Sequence, residues 1–105
     1  MSKLFLILLA LIMILGGCIT HQKSTPDLAE DLCVAECKQA VNNNQNLTDG
    51  PCLSNQIIKD WVCDVAHLPR IEKDNFPENQ CDAFRAGIAH HFVEVDAECN
   101  IIKIY

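Results

Sequence analysis

The sequence predicts a small, disulfide-rich α+β domain, with two helices packed against a short antiparallel sheet that ends in a C-terminal β-hairpin. Three observations lead to this class. Six cysteines lie between residues 27 and 105, a pattern typical of small exported domains with thin cores. Residues 28–41 carry apolar side chains three and four positions apart, as a helix does. Residues 61–67 and 90–96 alternate apolar and polar side chains, as strands do.

The first helix is expected to begin at Thr25-Pro26-Asp27, which supplies a capping hydroxyl, an early proline and an acid in the first turn. Cys33 and Cys37 share its apolar face one turn apart, where Cβ atoms are about 5 to 6 Å apart and too distant for a mutual disulfide. Each is therefore expected to bond to a different later segment. The other apolar positions of this face are Leu28, Leu32, Ala40 and Val41.

The middle of the chain is a loop followed by a segment that fits two periodicities. Residues 42–51 are rich in asparagine, and their one glycosylation sequence, Asn46-Leu47-Thr48, is expected by chance in such a loop. Residues 56–67 fit both helical and strand spacing, and Pro69 ends either element. We favour a strand over 61–67, because β-branched and aromatic residues dominate it.

A second helix is expected to begin at residues 74–78, where a proline lies close to acidic side chains. Its apolar positions are Cys81, Phe84 and Ile88, and Gly87 is placed to end it.

The C-terminal residues predict a β-hairpin. His91, Val93 and Val95 would share one face of the first strand. Residues 97–100 suit a tight reversal into a last strand over 101–105. The other face of the first strand would carry His90, Phe92, Glu94 and Asp96.

The N-terminus has the order of an export signal. Lys3 is followed by twelve apolar residues, from Leu4 to Leu15, which is short for a membrane span of about 20 residues. The stretch ends in Leu15-Gly16-Gly17-Cys18, and these four residues resemble the lipobox of prokaryotic membrane lipoproteins. The resemblance covers residues 1–18 and implies that Cys18 receives a diacylglycerol thioether and becomes the first residue after cleavage.

These features divide the chain into three parts. Residues 1–17 are expected to be a lipoprotein signal peptide, residues 18–26 the lipidated cysteine and a tether, and residues 27–105 a disulfide-stabilised globular domain. The predicted location is outside the cytoplasm, with the body anchored to the cell membrane by lipid.

The cysteine count supports this division. An exported protein with seven cysteines has one left over, and lipidation of Cys18 leaves an even set for three disulfides. Zinc is the alternative, but no two cysteines have the two-residue spacing typical of zinc sites or of redox motifs. The predicted disulfide residues are Cys33, Cys37, Cys52, Cys63, Cys81 and Cys99.

The charge balance excludes nucleic acid as a partner. Removing Lys3 from the eight basic residues leaves seven against fourteen acidic ones, a net charge of −7 from residue 18 onward. Phosphate binding requires a clustered basic surface, which this composition does not predict.

The best candidate for a metal site combines the later histidines with nearby acids. If the two predicted strands pair, imidazoles and carboxylates would lie near one another, as zinc or copper sites require. His90 and His91 are neighbours on a strand, however, and so point to opposite faces. A polar outer face is the better interpretation, and we predict no metal and no cofactor. The candidate ligands are His67, His90, His91, Asp64, Glu94 and Asp96.

No residue pattern predicts catalysis, and we expect that the protein is not an enzyme. A nucleophile requires an activating base beside it, and neither Ser24 nor Ser54 lies in such a motif. Trp61 and Tyr105 could stack on a ligand, but in a chain with six aromatic residues we expect them to pack in the core.

The sequence therefore predicts a lipid-anchored, non-catalytic envelope protein that is a rigid binding module for another envelope or extracellular protein. Two alternatives remain. The net charge of −7 would suit an acidic inhibitor or scavenger of basic secreted proteins. The histidines would suit an envelope metal-binding protein.

Overall fold

The computed structural model describes residues 22–105, so the predicted signal peptide and lipidated Cys18 lie outside the described residues. The main helix, α1, spans Thr25–Asn42. Its N-cap is Ser24, one residue before the hydroxyl expected from the sequence, and the Ser24 side chain accepts a hydrogen bond from the Asp27 backbone N–H at 3.4 Å. Pro26 lies in the first turn, where a missing N–H costs nothing.

The sheet has four strands in the order β1-β2-β3-β4. Pairing is antiparallel between β1 and β2, parallel between β2 and β3, and antiparallel between β3 and β4. The sheet is therefore mixed, and the expectation of a purely antiparallel sheet is wrong. The 66–90 connection between β2 and β3 is long enough for the crossover that parallel pairing requires. The strands are β1 (Cys52–Ile58), β2 (Trp61–Val65), β3 (His91–Val95) and β4 (Ile101–Ile104).

The 66–90 crossover does not form the single second helix that the sequence predicts. It contains two short 3-10 helices, Glu72–Asn75 and Pro77–Asn79, and then a four-residue helix, α2 (Asp82–Arg85). Phe76 precedes proline and is extended at φ −69° and ψ 134°, because a proline disfavours helical geometry in the residue before it. Gly87 follows α2 at φ +73°, near the position expected for the end of the helix.

One face of the sheet is covered by helix α1, and the other face is covered by a thinner layer of crossover residues. Helix α1 packs on the first through Ala29, Cys33 and Cys37, which are fully buried. The α1 side of the sheet contributes Trp61, Cys63, Val65, Val93 and Val95. The second face is covered by the end of the crossover, which packs Cys81, Ala83, Phe84 and Ala89 against Val62 and Phe92. This alternation matches the predicted faces of β3.

Three disulfides join the helix and the crossover to the sheet, and they confirm the predicted disulfide framework. Cys33 bonds to Cys63 on β2, and Cys37 bonds to Cys99 before β4. The two helical cysteines therefore reach different segments, as their spacing requires. The third bond, between Cys52 and Cys81, lies on the other face and holds the crossover there.

Within residues 22–105, neither α-helix has the length and apolar composition that a bilayer span requires.

Candidate ligand-binding cleft

A cleft of about 600 Å³ opens on the sheet face opposite α1. This volume lies within the range of about 300 to 1,000 Å³ that is typical of small-molecule sites. Its floor is formed by β2, β3 and β4, and one wall by the crossover residues Cys81, Phe84 and Arg85. Because the Cys52–Cys81 disulfide ties this wall to the edge of the sheet, the cleft is built by covalent structure as well as by packing.

Two rows of side chains cross the floor. In the polar row, Asp64 on β2 is in register with Glu94 on β3, and Glu94 is in register with Lys103 on β4. In the apolar row, Val62 is in register with Phe92. Residues in register on neighbouring strands project from the same face of a sheet. The strand pairing therefore brings two carboxyl groups and one ammonium group together in the cleft.

Asp64 is the most unusual residue of the cleft. Its Oδ1 is buried and has no hydrogen-bond partner among the described residues. Burial, and then the nearby charge of Glu94, raise the pKa of the Asp64 carboxyl to about 8. At neutral pH this carboxyl is therefore mainly protonated and uncharged, and its O–H is a hydrogen-bond donor on a residue that lines the cleft.

Glu94 is already neutralised by a fixed cation. Its Oε2 accepts a hydrogen bond from Nη1 of Arg70 at 3.2 Å. The same guanidinium donates from Nε to Asn75 Oδ1 at 2.9 Å and from Nη2 to the Asp74 carbonyl at 3.2 Å. These contacts hold Arg70 at the rim of the cleft, where Glu94 balances its charge.

Arg85 and Lys103 are the two remaining cations of the cleft. Among the part of the chain that the structure describes, neither makes an ion pair or a side-chain hydrogen bond. Lys103 lies over the Phe92 ring, with Nζ 5.8 Å from its centroid. The cleft therefore carries two cations that make no ion pair with any described residue, although the whole chain has a net charge of −6.

The apolar wall is aromatic. The rings of Phe84 and Phe92 meet edge to face with centroids 5.1 Å apart, and Phe92 stacks on Tyr105 at 5.3 Å. Tyr105 is 61% exposed, so the expectation that it packs in the core is wrong. Trp61 lies in the core on the α1 face, where it stacks on His91 at 4.6 Å, as expected for a packing residue.

The histidines that were weighed as candidate metal ligands do not all lie together. His67 follows the end of β2 and pairs with Asp74, whereas His90 and His91 lie at the start of β3, beside Asp60. Neither set includes the Asp64 and Glu94 pair. In residues 22–105 no three histidine, cysteine or acidic side chains are grouped so that they could hold a metal ion.

Each histidine pair has a structural role. His90 Nδ1 lies 2.6 Å from Asp60 Oδ1, and the His90 N–H donates to the same atom at 3.0 Å. The hydrogen bond with His90 holds the pKa of the Asp60 carboxyl below its usual range. Asp60 has φ +74° in the turn between β1 and β2. The contacts therefore tie that turn to the start of β3.

Asp74 organises the loop at the other end of β2, and sequence reasoning missed it. Its side chain is fully buried and accepts hydrogen bonds from the His67 and Ile71 N–H groups and from the His67 ring. Burial opposes its ionisation, but these donors outweigh burial and hold the pKa of the Asp74 carboxyl below its usual value. In the sequence, the only signal of this role is the position of Asp74 between Lys73 and Asn75, since aspartate and asparagine both favour turns.

Asp64 and Glu94 were candidate site residues in the sequence, and strand pairing does bring them together. The cationic and aromatic members, Arg70, Arg85, Phe84 and Lys103, were missed as a group. Alternation in 90–96 placed Phe92 and Glu94 on one face, but only the topology shows that β4 and the crossover border that face.

No family model, curated protein or solved structure matches this chain.

Proposed function

We propose that this protein is a non-catalytic binding module, anchored to the cell membrane by lipid on Cys18, with its body outside the cytoplasm. The observation that carries the proposal is the cleft opposite α1, which has an aromatic wall, two unmatched cations and a wall held by a disulfide. A site that is rigid before its ligand arrives loses less conformational entropy on binding.

The disulfides support the proposed location. All six cysteines of the described residues are oxidised, and such frameworks persist in compartments outside the reducing cytoplasm. The lipobox resemblance accounts for the remaining cysteine. From Cys18 to the start of α1 at Thr25 the chain is short, so lipid on Cys18 would keep the domain close to the membrane surface.

The cleft chemistry supports binding rather than catalysis. The cysteine at its wall, Cys81, is in a disulfide, and the Ser54 hydroxyl accepts a hydrogen bond from the Gln56 N–H at 3.1 Å. Nucleophilic catalysis requires a free nucleophile within reach of a base, and neither group provides one. The alternative of a scavenger for basic proteins gains no support from the cleft, because its unmatched charges are positive.

Anchoring is tested on the full chain after expression in a bacterial host. We expect membrane flotation of the protein, and an intact mass that lacks residues 1–17 and carries added diacylglycerol. Cys18→Ser should release the protein from the membrane fraction, whereas the matched exposed substitution Ser24→Ala should not. Protease added to intact spheroplasts should cut the domain.

An unmodified chain in the cytoplasm would overturn this proposal, as would a domain that added protease cannot reach. This test does not depend on any ligand.

A further inference from the structure

We propose that the cleft binds a carboxylate carried on an apolar body, with Arg85 and Lys103 holding the carboxylate and Phe84 and Phe92 packing against the apolar part. This inference rests on the proposed binding function and names the ligand class. The ligand chemistry is available from a free organic acid or from the C-terminal residue of an extracellular protein.

Charge selects an anion. Arg70 and Glu94 neutralise one another at 3.2 Å, which leaves Arg85 and Lys103 as the cations of the cleft that make no ion pair within residues 22–105. The rest of an acidic chain repels anions, so an anionic ligand is directed to this one face. An amine would be repelled by Arg85 and Lys103 in the same cleft, where Arg70 already pairs with Glu94.

Asp64 adds a hydrogen bond that only an acceptor can satisfy. Its carboxyl is buried and, with a pKa raised to about 8 by burial and by Glu94, is mainly protonated at neutral pH. Asp64 lines the cleft, and a carboxylate oxygen of the ligand would accept the O–H of its protonated carboxyl. A cationic ligand would instead require Asp64 to ionise beside Glu94.

The apolar wall favours a ligand that has an apolar part in addition to its carboxylate. Phe84 and Phe92 are half-buried and line the cleft, so an apolar group of the ligand can pack against their exposed ring surface. Val62, which is 1% exposed, packs against both rings from below. Inorganic phosphate is strongly hydrated and would leave this surface uncovered, which favours a monoanion with an apolar body.

The test is calorimetric titration of the full chain, exported, lipidated and purified in mild detergent. The probes are 3-phenylpropanoate, its neutral amide, 3-phenylpropylamine and inorganic phosphate. We expect binding of the acid at neutral pH, and affinity for the other three weaker by about tenfold or more. A short peptide ending in phenylalanine, with a free or an amidated C-terminus, forms the second arm. Binding of the free peptide above that of the free acid assigns the ligand to a protein terminus, and the reverse order assigns it to a small molecule.

Variants separate the cleft from the detergent and from the rest of the surface. Arg85→Ala/Lys103→Ala should lower affinity for the acid by about tenfold or more. Lys38→Ala, an exposed lysine on the helix across the sheet, should leave affinity unchanged. Both variants are first shown to melt like the parent.

The pH dependence tests Asp64. The charged groups that face it are Glu94, Arg70 and Asp74, and Arg85 and Lys103 share the cleft. Affinity for the acid should fall as pH rises through about 8, where Asp64 ionises. In Asp64→Asn, whose amide still donates, this fall should be absent. Tighter binding of the amine than of the acid would overturn the inference, as would equal binding of the amide, full affinity in the double variant, or no binding by any probe to folded protein.

Discussion

Asp64 and Glu94 occupy the same register position on the parallel strands β2 and β3, and their carboxyl groups face one cleft. Two ionised carboxylates in this arrangement would repel one another in a partly desolvated site. The structure resolves the conflict in two ways. Arg70 neutralises Glu94, and Asp64 keeps its proton to a pKa of about 8.

This relationship predicts that the protein loses stability as pH rises. The Asp64 pKa is about 8 in the folded state against 3.8 for an unperturbed aspartate, so between these values the folded state binds more protons than the unfolded state. The free energy of unfolding therefore falls from about pH 4 to about pH 8 and then levels. Asp64→Asn should remove this fall and should be more stable than the parent at about pH 9. Urea unfolding across pH measures the difference.

Glu98→Gln is the control for this experiment, because Glu98 is exposed in the turn before β4. Its pH profile should follow that of the parent. A parent whose stability does not decline between neutral pH and about pH 9 would contradict the assignment of a protonated Asp64.

The disulfides that join α1 to the sheet should dominate stability. The Cys33–Cys63 and Cys37–Cys99 bonds close loops with sequence separations of 30 and 62 residues. Loop entropy predicts a loss of about 4 kcal/mol for each bond, slightly more for the longer loop. Cys33→Ala/Cys63→Ala and Cys37→Ala/Cys99→Ala should each be largely unfolded near body temperature by circular dichroism. Cys18→Ser should fold like the parent, and a double variant that melts like the parent would show that α1 packs without its bond.

Asp74 should be required for the loop after β2. Asp74→Ala removes the acceptor for the His67 and Ile71 N–H groups, and we expect a loss of about 2 to 4 kcal/mol in unfolding free energy. Because the pKa of Asp74 is held low, its contribution is present above the pKa of the unfolded side chain and is lost as pH falls through the folded value.

Asp49→Ala is the matched control for Asp74, since it removes an exposed carboxylate 3.0 Å from Lys73. Its cost should be below about 1 kcal/mol. Equal costs for the two alanine variants would contradict the organising role of Asp74.

Gly50 and Gly87 provide a matched pair of backbone tests. Both have φ +73°, which costs an alanine about 1 to 2 kcal/mol. A Cβ at Gly50 would also lie 2.7 Å from Asp74 Oδ1 and 3.0 Å from the Val65 carbonyl, whereas a Cβ at Gly87 would meet nothing within 4 Å. Gly50→Ala should therefore lower the melting temperature clearly more than Gly87→Ala. Equal shifts in thermal melts would show that the loop around Asp74 yields easily.

Local pattern predicts α1 and β3, because each carries a strong periodicity of its own. Strand β2 fits two periodicities and is predicted from its β-branched and aromatic residues. The faces of β3 follow from alternation, with Val93 and Val95 buried and Phe92 and Glu94 on the cleft side. Strand β1 was missed because its register with β2 is irregular and its residues include Ser54, Asn55 and Gln56, which lack the alternation of a half-buried strand.

The parallel pairing of β2 and β3, and with it the cleft, depends on tertiary structure. Residues 74–88 carry helical signals, but Phe76-Pro77 interrupts them and Cys81 is held by Cys52. Local spacing cannot show that this segment crosses the sheet. Arg85 and Phe84 therefore could not be assigned to the same site as Asp64 from the sequence alone.

The most direct test of the binding cleft is an NMR titration of the isotope-labelled full chain with 3-phenylpropanoate. We predict that amide shifts concentrate at Phe84, Phe92, Glu94 and Lys103, on the face opposite α1. The α1 residues Ala29 and Ala40, buried on the other face, should not shift. Shifts confined to α1, shifts spread evenly over the surface, or an equal response to 3-phenylpropylamine would contradict the assignment of this cleft as an anion-binding site.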